Sequence, residues 1–148
     1  MKVLFLDIDG VLVPFGGLTV ADPAAPFDDE CVRRLARIIS RTGAKIVLSS
    51  TWRSSATAKE MLRNCFRSFG LPDFEETGGD HSLRQWEIAA WLREHEPERW
   101  VALDDEELVA GPENRRHSAD FRDHAILIDS KTGLQDEHVT QAIVILNG

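Results

Sequence analysis

MKVLFLDIDGVL, residues 1–12, is the stretch that decides the fold. Residues 2–8 are almost wholly apolar and carry Asp7 near their end, and Asp9 follows one residue further on. Because this run does not alternate, it is typical of a strand buried on both faces, as in a parallel sheet with helices above and below. Two carboxylates this close repel each other unless a cation lies between them or one takes up a proton. The stretch therefore predicts a buried strand whose acidic end needs either a cation or a bound proton.

Three later runs have the same character, and helical spacing of apolar residues separates them. The runs are KIVLSS over 45–50, WVALDD over 100–105 and AILIDS over 125–130. The helical stripes are Val32, Leu35, Ala36 and Ile39; Ala58, Met61, Leu62, Cys65 and Phe69; and Ile88, Trp91 and Leu92. A last helix is predicted over about 136–147.

Residues suited to begin or end a helix stand at the expected places. They are Asp28 or Asp29 before the first helix, Ser54 or Ser55 before the second, Ser82 with Gln85 as a capping box before the third, and Thr42 with Gly43 after the first. This alternation predicts an α/β protein, with a Rossmann-like three-layer α/β/α arrangement around a central parallel sheet. Its 148 residues suit one domain, spanning residues 1–148.

The composition of the chain restricts the cellular location and the kinds of binding partner that we expect. No window approaches the length of a membrane span and the N-terminus is unlike a secretory signal, so we expect a cytoplasmic protein with no membrane partner. Cys31 and Cys65 have no CxxC spacing and are interpreted as buried free thiols, although a disulfide between them stays open. The formal net charge of -8 argues against coating nucleic acid by charge alone.

The charge is unevenly distributed along the chain. Residues 31–70 hold nine Lys or Arg and one Glu, whereas residues 71–114 hold three Lys or Arg and thirteen Asp or Glu. One side of the molecule could therefore attract anions.

Polar residues follow three of the predicted strands, where ligands bind in open parallel sheets. They are Asp7 and Asp9, Ser49 and Ser50, and Asp104 and Asp105. Residues two apart in an extended segment point to the same side, so Asp7 and Asp9 are expected to converge, while Gly10 lets the backbone turn. Carboxylate oxygens are ligands that suit Mg²⁺, which also binds waters and a substrate phosphate. The predicted cofactor is therefore Mg²⁺.

Gathered at one place, these side chains permit phosphoryl transfer. Once Mg²⁺ neutralises the acids, a phosphoryl group can approach a carboxylate nucleophile, and a second acid two residues along can protonate the leaving oxygen. Hydroxyls of Ser49 or Ser50 would donate to the phosphoryl oxygens. Arg84, ahead of the third helical stripe, would supply a cation.

Four motifs in this order resemble the haloacid dehalogenase (HAD) superfamily of phosphohydrolases. They are DIDGVL from residue 7, LSSTWR from residue 48, an Arg before the EIAAWL helix, and LDDE from residue 103. Together with a late D-x-x-T-G-L from residue 129, they look like the small capless branch, whose relatives include domains of multidomain RNA-repair proteins. The resemblance covers nearly the whole chain and implies a capless HAD-like fold.

The resemblance also implies roles for individual residues. Asp7 would be the nucleophile that forms an aspartyl-phosphate, and Asp9 the acid that protonates the leaving group and then activates water. Ser49 would bind the phosphate, with Ser50 beside it. Asp105 is expected to be the metal ligand of the acidic pair, with Asp104 in support and the backbone carbonyl of Asp9 as a further ligand.

The sequence leaves alternative roles open for three sets of residues. The family commonly has Lys in its third motif, so Lys59 competes with Arg84 for that role. Trp52 and Arg53 follow the serines and could stack on or grip a leaving group, or Trp52 could simply pack between helix and sheet. Basic residues at Lys59, Arg63 and Arg67 recur every four residues and either track a nucleic-acid backbone or form a solvated face.

The function predicted first is a Mg²⁺-dependent phosphomonoesterase. Only about 15 residues precede the first helix after the first motif, too few for a separate cap domain. Open sites in this superfamily tend to take bulky substrates, so the resemblance implies a nucleic-acid end or a nucleotide as the phosphorylated substrate. The alternative is a non-catalytic module that binds Mg²⁺ and phosphate to regulate a partner.

Overall fold

A computed structural model describes residues 1–15, 26–79 and 83–148. These residues form a parallel sheet of five strands in the order β3-β2-β1-β4-β5. The strands are β1 (Lys2–Leu6), β2 (Lys45–Leu48), β3 (Phe74–Glu76), β4 (Arg99–Asp104) and β5 (Ala125–Leu127). The helices are α1 (Asp29–Thr42), α2 (Ala56–Ser68), α3 (Arg84–His95), the short α4 (Ser118–Phe121) and α5 (Asp136–Asn147), and 3-10 turns cover Thr51–Ser54 and Pro112–His117.

The predicted α/β class with a Rossmann-like parallel sheet is confirmed. β1, the apolar run at the start of the chain, is the central strand, and Val3 to Leu6 are fully buried. The chain adds β2 and β3 on one side of β1 and then crosses to add β4 and β5 on the other. The strand order therefore reverses between β1 and β4, which is where such sheets form ligand crevices.

Two apolar clusters cover the two faces of the sheet. The larger contains the inward residues of α1, α2 and α5 with Leu4, Leu6 and Ile8. The smaller contains residues of α3 and α4 with Val3 and Phe5. Alternate residues of β1 thus enter opposite layers, which explains why the run shows no polar alternation.

The helix starts follow the predicted capping residues in two cases. Asp28 Oδ1 accepts the Cys31 N–H at 3.0 Å before α1, and Ser55 Oγ accepts the Ala58 N–H at 3.1 Å before α2. α3 begins at Arg84 with Leu83 at its N-cap, and this position makes no side-chain hydrogen bond. Ser82, predicted to cap this helix, lies outside the described residues.

Two features of the fold were not predicted. β3 has only three residues, and both Glu75 and Glu76 are exposed, so it carried neither a long apolar run nor a clear alternation. It pairs with β2 at the edge of the sheet. Residues 110–123, for which no helix was predicted, contain the second 3-10 turn and α4.

The two cysteines differ in how deeply they are buried. Cys31 is buried and Cys65 half-buried, and both are free. Burial raises the pKa of each thiol to about 11, so both stay protonated near neutral pH.

Within the described ranges, no helix has the length and apolar character that crossing a membrane requires.

Candidate active site

The register of the sheet aligns polar side chains on three neighbouring strands. Leu6 pairs with Leu103, and the ladder continues for one residue because the Asp7 N–H donates to the Leu103 carbonyl at 3.1 Å. On the other side, the Ser49 N–H donates to the Leu6 carbonyl at 3.0 Å. Asp7, Ser49 and Asp104 therefore lie side by side at the carboxyl edge, on the face covered by α3.

Three carboxylates meet at this edge. Asp7, Asp104 and Asp105 each offer an oxygen, and these oxygens all lie within 4.8 Å of one another. Asp7 and Asp104 are buried at 5% and 1% exposure, while Asp105 is half-buried. Buried oxygens from several carboxylates are a donor set that fits Mg²⁺, which favours hard oxygen ligands and keeps positions for water and phosphate.

Gly10 allows Asp105 to approach the loop that follows β1. Its φ of 82° lies in the left-handed region that favours glycine. A Cβ at this position would overlap the Asp105 carboxylate, with only 2.9 Å even to its Cβ. A side chain at position 10 would therefore displace Asp105 from the acidic cluster.

Arg84 is the cation that reaches the cluster. It is the first residue of α3, and its Nη1 lies 2.6 Å from Asp104 Oδ2 and 3.3 Å from Asp7 Oδ1. Asp104 Oδ1 also accepts the Glu106 N–H at 2.9 Å. One guanidinium beside three acids leaves a surplus of negative charge that a divalent cation would neutralise.

The acids respond to this crowding in their pKa values. The pKa of Asp7 rises to about 9, chiefly through burial and next through the charge of Asp104, while the Arg84 guanidinium opposes the shift. Burial also raises the pKa of Asp104, against the lowering effect of Arg84. In the absence of a metal ion, the cluster therefore favours protonated carboxyl groups over neighbouring charges.

Asp9 is not among the three acids whose oxygens lie within 4.8 Å of one another. β1 ends at Leu6, and the Val11 and Leu12 N–H groups both donate to the Ile8 carbonyl, so Asp9 lies in a turn rather than in an extended segment. The convergence of Asp7 and Asp9, which was expected for an extended segment, stays a prediction. The Asp9 carboxylate instead accepts a hydrogen bond from Trp52, with 3.2 Å between Oδ2 and Nε1.

The segment after β2 is a tight turn whose side chains bind the site together. Ser50 Oγ accepts the Trp52 N–H at 3.1 Å and so begins the 3-10 turn. Arg53 forms an ion pair with Glu87 of α3 and also donates to the Ser49 and Ser50 carbonyls, each at 3.4 Å. These contacts hold Arg53 and Ser50 beside Ser49, and their predicted contacts with the substrate stay predictions.

Lys59, the alternative to Arg84, is engaged elsewhere. Its Nζ lies 3.2 Å from Glu76 Oε2 at the end of β3, and Arg63 pairs in the same way with Asp73 at 3.2 Å. Two of the three cations in the predicted nucleic-acid track thus have acidic partners from the neighbouring strand region. Of Arg84 and Lys59, Arg84 is the one in contact with Asp7 and Asp104.

Sequence reasoning missed two supporting residues. Glu87 is 6% exposed and stands four residues before Trp91, so it is a charge on the apolar face of α3. A buried charge requires a partner, and that signal could have identified the pair with Arg53. Asn114 donates to the Glu107 carbonyl at 2.7 Å and the Ala110 carbonyl at 2.8 Å, so it fixes the loop after Asp105.

Comparison with known proteins identifies the family. No significant match was found among curated proteins or among solved structures. One family model, described as the HAD domain in Swiss Army Knife RNA repair proteins, matches residues 3–139 and so includes every residue of the acidic cluster, Ser49 and Arg84. The chain therefore belongs to this family of HAD domains.

Proposed function

We propose that this protein is a Mg²⁺-dependent phosphomonoesterase that works through an aspartyl-phosphate at Asp7. The observation that carries the proposal is the meeting of Asp7, Asp104 and Asp105 within 4.8 Å, with Ser49 on the adjacent strand and Arg84 in contact. Membership in a HAD family supports phosphatase-type hydrolysis in general. Mg²⁺ dependence and the covalent intermediate are part of this proposal.

The reaction has two steps that share the same acids. The Asp7 carboxylate attacks phosphorus, the bond to the leaving oxygen breaks, and Asp9 gives that oxygen its proton. Asp9 then takes a proton from water, which attacks the aspartyl-phosphate and releases inorganic phosphate and the free Asp7 carboxylate. This order returns both side chains to their starting states.

The remaining residues hold the phosphoryl group and the cation. Asp7 and Asp105, with Asp104 in support and the Asp9 carbonyl as a further ligand, would bind Mg²⁺, which when bound neutralises charge on the phosphoryl oxygens. The Ser49 hydroxyl would donate to one phosphoryl oxygen. Arg84 would donate to another, because its guanidinium offers several N–H groups beyond those bound to Asp7 and Asp104.

The substrate class is the least direct part of the proposal. The description of the matched family refers to RNA repair proteins, which supports a phosphorylated nucleic-acid end or a nucleotide. The two free thiols are consistent with a reducing compartment, so we keep the cytoplasm as the proposed location.

Loss of the nucleophile tests the activity. Asp7→Asn should reduce Mg²⁺-dependent hydrolysis of p-nitrophenyl phosphate by about 10⁴-fold or more, since removal of a nucleophile eliminates the covalent route. Asp123→Asn, at an exposed carboxylate between α4 and β5, serves as the matched control and should keep wild-type turnover. Undiminished activity of the Asp7 variant would refute the proposal.

A substrate panel tests the specificity. We expect end-phosphorylated oligonucleotides and mononucleotides to be hydrolysed with higher kcat/KM than sugar phosphates or phosphopeptides. A clear preference for sugar phosphates would contradict the proposed substrate class. Tight binding of beryllium fluoride without turnover of any substrate would instead favour a regulatory phosphate-binding module.

A further inference from the structure

An aromatic pair stands beside the acid that would protonate the leaving group. Trp52 and Phe27 have ring centroids 5.4 Å apart with planes inclined at 49°. Both rings pack against the larger apolar cluster, yet both are only half-buried. Part of the aromatic surface is therefore open to a ligand.

The indole also holds the Asp9 carboxylate. Trp52 Nε1 donates to Asp9 Oδ2 at 3.2 Å, and within the described part of the chain no other side chain makes a hydrogen bond to this carboxylate. A single bond at one oxygen restricts the rotation of the carboxyl group and leaves Oδ1 for proton transfer. Trp52 thus orients the proposed acid.

Distances bring the leaving group to the same ring. A general acid must come within about 2.6–3.2 Å of the oxygen that it protonates. Adding the Trp52–Asp9 hydrogen bond and the width of the carboxylate places that oxygen within roughly 8 Å of the indole nitrogen. The organic part of the leaving group is attached to this oxygen, so a ring of that group lies within reach of the aromatic pair.

We propose that Trp52 couples recognition of the leaving group to its protonation: its N–H positions Asp9 and its ring stacks on a nucleobase of the leaving nucleoside. This inference rests on the proposed phosphatase function and specifies its substrate. Any base offers a π face, so stacking selects nucleosides over plain sugars without selecting a base. A phosphotyrosyl residue also carries a ring, and the test includes it as a competing substrate.

Two phosphate esters separate recognition from chemistry. Adenosine 5′-monophosphate and ribose 5-phosphate share the same phosphoester, and the first adds a base. We expect the wild-type kcat/KM to favour the nucleotide by about tenfold, the scale of one base–aromatic stack. Equal values for the two esters would overturn the stacking role.

Variants at position 52 divide the two roles. Trp52→Phe keeps a ring and loses the N–H, so the preference for the nucleotide should persist while kcat/KM falls for both esters. The fall should be smaller for p-nitrophenyl phosphate, whose leaving group needs little protonation. Trp52→Leu should lose the preference as well. An unchanged preference in Trp52→Leu, or an equal fall for all three esters in Trp52→Phe, would refute the respective role.

A variant at the second ring tests the stacking role without changing Trp52, in case the Trp52 variants do not fold. Phe27→Leu leaves the Trp52–Asp9 bond in place and removes the neighbouring ring, so it should weaken the nucleotide preference. Melting curves establish the folded fraction of each variant at the assay temperature, and kcat/KM values are compared per folded molecule. A phosphotyrosyl peptide hydrolysed with a higher kcat/KM than the nucleotide would overturn the nucleobase assignment.

Binding measurements distinguish failure of this inference from failure of the phosphatase proposal. In the Asp7→Asn background, adenosine 5′-monophosphate with Mg²⁺ should bind about tenfold more tightly than ribose 5-phosphate, and the added Trp52→Leu change should remove that difference. If neither ester is hydrolysed by the wild type but this difference persists, only the phosphatase proposal fails. If both esters are hydrolysed and the difference is absent, only the stacking inference fails.

Discussion

Asp7 is held where its charged form is unfavourable, and this links the site to stability. Its pKa rises from 3.8 to about 9 in the folded protein, chiefly through burial. The folded state therefore binds the proton more tightly than the unfolded chain does. The associated stability is fully present below the unfolded value and is lost as pH rises towards the folded value.

This sign predicts the behaviour of Asp7→Asn in the absence of metal. Since asparagine does not ionise, the variant should melt higher than the wild type near neutral pH, by roughly 3 °C or more. The difference should shrink as pH falls and vanish below 3.8, where the wild-type carboxyl is protonated in both states. Melting curves in EDTA across this range provide the measurement, and a difference independent of pH would contradict the account.

Asp9 gives a second prediction at the scale of the residue. Asp9→Asn removes the proposed proton donor and should lower kcat/KM for alkyl phosphates by roughly 10²–10⁴-fold. The loss should be much smaller for p-nitrophenyl phosphate, because its leaving group departs without a proton. Steady-state kinetics on the two substrates check this, and equal losses would argue against an acid role for Asp9.

At the scale of the element, one ion pair joins the turn after β2 to helix α3. Arg53 and Glu87 have side chains only 15% and 7% exposed, and Arg53 also donates to the Ser49 and Ser50 carbonyls. Arg84 lies one turn before Glu87 on the same helix. The pair therefore connects the segment that carries Ser49 to the helix that carries Arg84.

Breaking this pair should impair both stability and phosphate binding. Glu87→Gln leaves a buried guanidinium without its charge partner and should cost about 3–5 kcal/mol of unfolding free energy. Replacing both residues, as Arg53→Met with Glu87→Leu, should recover much of that stability without recovering affinity for inorganic phosphate. Glu94→Gln on the exposed side of α3 is the control. Phosphate affinity that returns with stability would show that the pair has no positioning role.

At the scale of the whole molecule, the sheet brings its charges together at the point where strand order reverses. Asp7 follows β1, and the pair Asp104 and Asp105 comes at the end of β4, the strand on the other side of the reversal. With no cation bound, three acids beside one guanidinium must either repel one another or take up protons, and both lower the stability of the folded state near neutral pH. A bound divalent cation would remove this cost.

Mg²⁺ should therefore stabilise the protein as well as activate it. At a concentration of 100 times its dissociation constant, a ligand that binds only the folded state raises the free energy of unfolding by about 2.7 kcal/mol. We expect Mg²⁺ to raise the melting temperature of the wild type, and Asp105→Asn to reduce that rise. Calorimetric scans with and without EDTA measure it. A melting temperature unaffected by Mg²⁺ at concentrations that support activity would contradict a metal site in this cluster.

The sequence alone predicted four of the five strands that the described residues form, most helices and the strand-end positions of the acids and serines, because these follow from spacing within short segments. It missed β3, whose three residues are too few to show a period. Only the tertiary structure showed that a turn follows β1 directly and contains Asp9. Likewise, only the fold brought Arg84, and not Lys59, into contact with Asp7 and Asp104, and joined Trp52 to Asp9 across 43 residues of chain. Such pairings depend on how the crossovers return each strand to the sheet, and no local pattern encodes that geometry.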